Sequence, residues 1–553
     1  MKRSGWFALL SIVAFSVLIS TIPLYRYTLW GLDSGEYLYY THRWVETGGA
    51  YLSVDGWGSA YPFFPGMFIL GGGFHLLSGV DLIRSVVFVP VILSALSPIL
   101  VFLIVRKVMD DWRPGILSAF LFSSLPPLIY GYSQPRPETV GFFFMLLILS
   151  FTITSLKENP KTVLPIFVVL IPLVITHHFS TYFLILLFLG GIFTSRIWRR
   201  KERSIDLFKT RLLILFMITT FIYWISYAVP FGESRIKNAL IFPSYTVLAV
   251  PFLLLLFFEF LVRIRRKFDF VVPINFHKEG IRSFMIFFSI ALIITMSIMI
   301  NVALGTLPVR QIELGFTVFL YIPMVILSLF AMSARKIIKS VEEGPTLLGW
   351  LSFVIISIII GVIFDSHSLL PMRQFTFLLL IVTLIFGIGL FHFEMTIYNP
   401  TDKMKKTFAL GVLIILLTAF LIPLSYPSQE RAGGFTEGIE SEDMEAAFWA
   451  KTSTERRIAT DHRMSNALIS VSYQNQTWRD GFDMYFSDDP ESALGDIEEN
   501  NVTYILWDEE MRKGAVIELG RNPRPLSPEL IEYYQENFYL VYRSEEVVIY
   551  AVP

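Results

Sequence analysis

The chain of 553 residues contains no cysteine, and only 16% of its side chains are charged, where a soluble domain carries about a quarter. The first absence excludes a disulfide framework, a thiolate metal site, an iron–sulfur cluster and a cysteine nucleophile. The second, joined to 54% apolar and 16% aromatic residues and a mean hydropathy of +0.59, excludes a single water-soluble core. No P-loop, dinucleotide fingerprint, internal repeat or low-complexity tract occurs, and no nucleic-acid partner is expected. The near-zero net charge of −1 hides an asymmetry. Residues 425–553 hold 11 Lys+Arg against 25 Asp+Glu, a net of −14, which leaves 34 basic and 21 acidic residues upstream, a net of +13. Two differently solvated regions share the chain: a polytopic all-α membrane domain over 1–424 and a soluble mixed α/β domain over 425–553.

A helix needs about 17 to 25 apolar residues to cross about 30 Å of hydrocarbon. Thirteen stretches are candidates: 7–24, 85–105, 114–131, 139–156, 163–178, 180–195, 212–230, 246–262, 283–302, 314–333, 346–364, 374–391 and 407–424. The first follows Met1-Lys2-Arg3 without a small-residue cleavage motif and reads as an uncleaved helix with its N-terminus inside, although an uncleaved signal anchor looks similar. In that register the inside loops carry 26 Lys/Arg and the outside loops 8, as the positive-inside rule requires. An odd number of spans puts the acidic tail, with its sequons at Asn475 and Asn501, on the extracytoplasmic side. The stretch Tyr61 to Val80 (YPFFPGMFILGGGFHLLSGV) is apolar, but two prolines and three consecutive glycines argue for a re-entrant or interface-lying segment. It therefore belongs to a long first outer loop, 25–84, the first place to look for function.

Ionisable groups at membrane depth are functional candidates because each costs several kcal/mol to hold there. Those at the outer ends of spans include Asp33 and Glu36, Asp55, Arg136 and Glu138, His177 and His178, Glu233, Arg235 and Lys237, Arg310 and Glu313, Asp365 and His367, and Arg373. Asp33-Ser34-Gly35-Glu36 has capping-box spacing, N-cap to N3, which accounts for it as a helix start. The same carboxylate, held at the water–lipid boundary, is equally suited to deprotonate an incoming hydroxyl or amide. Glu138 fits the first turn of a helix, where a negative charge favours the dipole, or a place in the site. His177 and His178 could bind a divalent cation such as Mg or Mn together with carboxylates, but adjacent helical residues point about 100° apart, so at most one faces the site. Arg373 reads either as a bidentate phosphate anchor or as an interfacial snorkel. The inside clusters RIWRRKER and RIRRKFD read as topology determinants and anionic-lipid contacts.

The first span followed by LDSGEYLYY, a long outer loop with YPFFPG, the basic turn VRKVMDDWRPG and a span ending LPPLIYGYSQPRPE together resemble the GT-C superfamily of polytopic glycosyltransferases. The thirteen spans, the outer tail and the segment MEAAFWAKTSTERRIATDHR look most like archaeal oligosaccharyltransferase catalytic subunits and related transferases. The resemblance implies a donor sugar linked to polyprenyl phosphate and used on the outer face of the cell membrane. It matches Asp33 to the family's first-loop acidic residue, Glu138 to that of the second outer loop, and Arg373 to the arginine that contacts donor phosphate. Two departures stand out: the tail has Trp507-Asp508 in YILWDEE in place of Trp-Trp-Asp, and the second outer loop lacks Asp-x-Asp. These absences favour transfer of one sugar, hexosyl or pentosyl, to a lipid-linked glycan or a protein. The expectation is an inverting transferase with Asp33 as general base, Glu36 in support, and Arg373 with Arg136 holding the leaving phosphate. Oligosaccharyltransferase action on Asn sequons and transport or flipping of lipid-linked glycans are the alternatives.

Overall fold

The computed structural model describes residues 3–31, 33–48, 61–155, 163–198, 203–228, 343–363, 371–397, 426, 436–453, 457–471, 476–477, 482–517 and 524–553. Over the first part of the chain it is helical. Four of these helices are long and apolar enough to cross a membrane: α1 (Arg3–Ser20), Leu82–Met109, His178–Arg196 and Lys209–Ser226. Shorter apolar helices lie at Gly66–Ser78, Pro137–Ile153, Val163–Thr176, Gly344–Ile358 and Thr376–Ile385. The expected spans 246–262, 283–302, 314–333 and 407–424 lie outside the described residues.

The local chemistry of the chain sets several boundaries. Asp81 caps the helix Leu82–Met109 by accepting from the Arg84 amide at 3.2 Å, and Asp111 caps the next, Trp112–Ser124, through Arg113 at 3.0 Å. The stretch 114–131 is not one continuous helix. Leu125 is extended because it precedes Pro126, whose ring disfavours the helical conformation of its neighbour, and a second short helix, Pro126–Tyr132, begins there. The YPFFPG stretch, which follows α2 (Ser34–Thr47) in the first loop, forms a tight turn at Tyr61–Phe63 and then α3 (Gly66–Ser78). Thirteen residues reach only about 20 Å at 1.5 Å each, short of a crossing.

Among the described residues, most of the apolar helices share one core running from Leu100 to Ile388, with the rings of Phe183 and Phe377 stacked at 4.0 Å in it. Where His178–Trp198 crosses Gly344–Ile363, Gly190 and Gly349 meet backbone to backbone, an approach that only small residues permit. Nearby, buried Lys209 pairs with Glu343 at 3.1 Å, and Thr346 donates to the same carboxylate at 2.8 Å.

The end of the chain forms a small mixed sheet with helices. Numbering strands over the described residues, β3 (Ile458–Ala459), β4 (Gln476–Thr477), β5 (Tyr504–Asp508), β6 (Tyr539–Arg543) and β7 (Val547–Ala551) lie in the order β4-β3-β5-β7-β6. β4, β3 and β5 run parallel, while β7 is antiparallel to both its neighbours. Central strand β5 is buried on both faces from Ile505 onward, as a covered strand must be. This domain is sewn onto the first loop. β1 (Leu29–Trp30) pairs antiparallel with β2 (Gly438–Ile439), extended by Thr28 N–H to Ile439 O at 2.8 Å and Gly31 N–H to Glu437 O at 3.0 Å. A second apolar cluster runs without a break from Tyr37, Leu38, Tyr40 and Phe68 into Met444, Leu468 and Leu506.

Candidate active site

Asp33 stands at the N-cap of α2, but its side chain makes no capping hydrogen bond. The capping-box account of this motif is therefore incomplete. The carboxylate is turned toward aromatic hydroxyls: Tyr61 Oη–H donates to Oδ2 at 3.1 Å, Tyr37 Oη–H reaches the same atom at 3.4 Å, and the two hydroxyls lie 3.1 Å apart. Burial first, then the negative charge of Asp33, pushes the Tyr61 hydroxyl well above its ordinary range, so it remains a donor at any physiological pH. The Asp33 side chain is 21% exposed and faces His462 Nε2 at 3.7 Å through Oδ1. Glu36 is fully buried, and its backbone N–H donates to Asn466 Oδ1 at 3.4 Å. The two carboxylates thus differ: Asp33 reaches solvent and Glu36 is interior.

Arg136 lies just ahead of the helix Pro137–Ser155 and faces buried Glu437 of the tail at 3.6 Å; Gln134 Nε2 donates to that same carboxylate. Burial pushes the Glu437 carboxyl up, while the Arg136 charge and bonds from Tyr130 and Gln134 favour its charged form. Proximity to Asp33 pushes it up further, which puts the pair in one electrostatic environment.

His177 is the junction between Val163–Thr176 and His178–Trp198. Its Nδ1 accepts from the Ser180 amide at 3.2 Å and lies 2.8 Å from Ser180 Oγ, so the ring caps the following helix. The His178 ring lies among aromatics, 5.0 Å from Phe64 and 6.4 Å from Trp224. The two rings themselves lie 5.3 Å apart. Glu138, half-buried, opens the first turn of Pro137–Ser155. Among the described residues no three His, Asp or Glu groups gather to hold a metal, so Glu138 and the histidines form no such donor set there.

Arg373 falls in the first turn of the helix Pro371–Ile397; its side chain lies outside the described residues. The backbone position is informative all the same. Phe377, four residues on, contacts Phe142 at 5.5 Å and Phe179 at 5.7 Å, and Phe142 stands four residues after Glu138. The first turns bearing Arg373 and Glu138 and the His177–His178 junction therefore lie at one end of the bundle. Asp55, Glu233, Arg235, Lys237, Arg310, Glu313, Asp365 and His367 lie outside the described residues.

The tail motif occupies the interior. Trp507 is buried and stacks on Tyr550 at 4.8 Å, while Asp508 pairs with buried Arg463 and accepts from the Met511 amide at 2.8 Å.

The first loop of the helical domain and the C-terminal sheet domain close together over the acidic turn. The fold is that of the GT-C glycosyltransferases, and the resemblance read in the sequence is borne out. Residues 62–224, less than a third of the chain, match the family described as dolichyl-phosphate-mannose-protein mannosyltransferase. The chain is similar to the oligosaccharyltransferase of Archaeoglobus fulgidus in the apo form, with a TM-score of 0.57 and 14% identity over 99% of this chain and 74% of that one. The archaeal oligosaccharyltransferase AglB of that organism, solved with an inhibitory peptide and a dolichol-phosphate, gives the same TM-score and identity over 100% and 75%. The mycobacterial arabinofuranosyltransferase AftD matches with a TM-score of 0.53 and 12% identity over 100% of this chain and 40% of that one. No curated protein matches the sequence.

Proposed function

We propose that the chain is an inverting membrane glycosyltransferase that moves a single sugar from a polyprenyl-phosphate donor to a lipid-linked glycan or protein on the outer face. The observation that carries this reading is the Asp33 carboxylate, part-exposed and oriented by two tyrosine hydroxyls where the first loop meets the tail. In the reaction, the acceptor's O–H or N–H bond breaks and its proton passes to Asp33. The acceptor atom bonds to the anomeric carbon from the face opposite the phosphate, and the carbon–oxygen bond to phosphate breaks with its electron pair leaving on the lipid phosphate. Glu36, interior and one turn along, supports the position of α2 and does not meet substrate. Arg373 holds the departing phosphate. Arg136 shares its charge with Glu437, so the phosphate contact rests on Arg373. No step is assigned to a metal.

The kinship in fold with oligosaccharyltransferases leaves sequon transfer as the second reading, and the buried Trp507 and Asp508 weigh against it because neither side chain meets solvent. The test is to offer the purified full chain polyprenyl-phosphate-linked mannose, glucose and arabinofuranose and to follow free polyprenyl phosphate together with glycosylated acceptor. Both should appear in step with at least one donor. A flippase would move these lipids between leaflets and leave the sugar–phosphate bond intact.

Two further expectations follow. Arg373→Lys should weaken donor binding in part and Arg373→Ala severely, because a guanidinium makes two parallel bonds to phosphate that an ammonium only partly replaces. Titration of the donor at fixed acceptor measures this, and a lysine variant of unchanged donor affinity would leave Arg373 as an interfacial anchor. Protease added to the outer face of intact cells should release a fragment of about 14 kDa from residues 425–553, at roughly 110 Da per residue. A protected tail would contradict the outward orientation.

A further inference from the structure

We propose that Glu437, carried by the C-terminal domain, is an internal anion that competes with phosphate for Arg136 and so weakens the hold of the site on its lipid phosphate product. The inference deepens the reading of this site as one that a polyprenyl phosphate leaves, and rests on it. Arg136 Nη2 stands 3.6 Å from Glu437 Oε2, a charge contact too long for a hydrogen bond. Among the described residues the Arg136 guanidinium donates no hydrogen bond; the bonds of this residue are those of its backbone, whose N–H donates to Gln134 O and whose carbonyl accepts from Thr139 and Val140. A third of the side chain, 33%, is exposed, so the fork of donors is open to an incoming anion. Arg136 directly precedes the helix Pro137–Ser155, whose Phe142 meets Phe377, and Phe377 lies four residues past Arg373. Both arginines therefore belong to one end of the bundle.

Glu437, by contrast, is buried and is held by groups other than Arg136. Gln134 Nε2 donates to the same oxygen, Oε2, Tyr130 hydrogen-bonds the carboxylate, and Glu437 O accepts from the Gly31 amide at 3.0 Å. A carboxylate with these neutral donors stays hydrogen-bonded when the cation leaves it, which removes much of the cost of stranding a buried charge. Arg136 is thus the partner that can turn away, and it can do so without the tail opening. Of the two carboxylates whose charge acts on Arg136, Glu437 outweighs Glu138. The reaction gives the exchange its direction. The donor linkage is a phosphodiester with a single negative charge, whereas the leaving lipid phosphate is a monoester of about −1.5 to −2 at neutral pH. Two guanidinium groups would hold the monoester more firmly than the diester and delay its departure. Glu437 draws Arg136 back and leaves Arg373 to hold the product alone.

Equilibrium binding of polyprenyl phosphate, and separately of inorganic phosphate, to the full chain tests this without turnover. Glu437→Gln keeps an oxygen for Gln134 and removes the charge. It should tighten polyprenyl phosphate at least about fivefold, the lower end of the coupling between ligands that compete. Arg136→Gln should weaken the same lipid, and in that background Glu437→Gln should change its affinity by less than about twofold. Tightening of both probes supports an exchange at the phosphate group itself, and tightening of the lipid alone supports one at a headgroup seated by its prenyl chain. A Glu437 that merely held the tail in place would, on removal, loosen the ligand. Unchanged or weaker lipid binding in Glu437→Gln, or equal tightening with Arg136→Gln present, would therefore overturn the role. If Glu437→Gln does not fold, Arg136→Gln decides: wild-type affinity for polyprenyl phosphate in that chain rejects the exchange. A wild type that binds neither probe removes the phosphate site and the proposed transfer together. Lipid binding by wild type with no response in any variant removes the exchange alone.

Discussion

Asp33→Asn is expected to lower transfer at least about 10²-fold, within the range of 10² to 10⁴ that a positioned general base contributes. The protein should remain folded. The Asp33 side chain makes no cap bond that the change would remove, and the Asn amide oxygen still accepts from Tyr61 or Tyr37. What disappears is the basic oxygen that receives the acceptor's proton. Transfer rate and thermal midpoint measured on the same preparation separate the outcomes. Loss of both would assign Asp33 to the structure of the loop, and retained transfer would eliminate it as the base. Tyr61→Phe should have a smaller effect in the same direction, because Tyr37 still reaches Oδ2.

The second large effect is expected at Gly35. A Cβ there would fall inside the van der Waals envelope of the Asn466 carbonyl oxygen, and both groups are backbone, so no rotamer change relieves the overlap. Overpacking of this kind costs about 1 to 3 kcal/mol. Relief can come only from parting the tail helix His462–Val471 from α2. Gly35→Ala should therefore lower the thermal midpoint, open the tail to protease and reduce transfer together, since Asn466 and His462 move with that helix. Gly73→Ala on the neighbouring helix α3, where a Cβ would have nothing within 4 Å, is the control expected to change none of the three. A Gly35→Ala chain with an intact, protease-resistant tail and full activity would show that the contact carries no weight.

Much of the helical domain is legible in the sequence because lipid leaves the chain few choices. Runs such as 346–364 and 374–391 reappear as Gly344–Ile363 and Pro371–Ile397. The break at Leu125 is signalled by Pro126-Pro127, but a hydropathy window averages over it. Asp33 and Glu36 can be singled out because both stand in one four-residue motif. Their different exposure cannot, since it depends on Asn466 and His462, more than 400 positions away. The same distance hides Glu437, whose meeting with Arg136 and Gln134 is set by a two-residue backbone pairing, Leu29–Trp30 with Gly438–Ile439. Two residues leave no periodicity to read. Tyr37 and Tyr61 stand in LDSGEYLYY and YPFFPG, but nothing local tells a tyrosine packed for its ring from one aimed by its hydroxyl. Trp507-Asp508 shows the reverse: a motif-like dipeptide in the tail proves to be sheet interior.

The most direct test of the central claim is a structure of the full chain with a non-cleavable polyprenyl-phosphate sugar analogue. The anomeric carbon should lie on the Asp33 side of the bundle end formed by Glu138, His177 and the first turn of Pro371–Ile397. Its phosphate should pair with Arg373, and room for an acceptor atom about 3 to 3.5 Å from the anomeric carbon should remain within reach of the Asp33 carboxylate. A headgroup bound at the opposite end of the helices, or one whose phosphate bypasses Arg373 while the sugar faces away from Asp33, would contradict it.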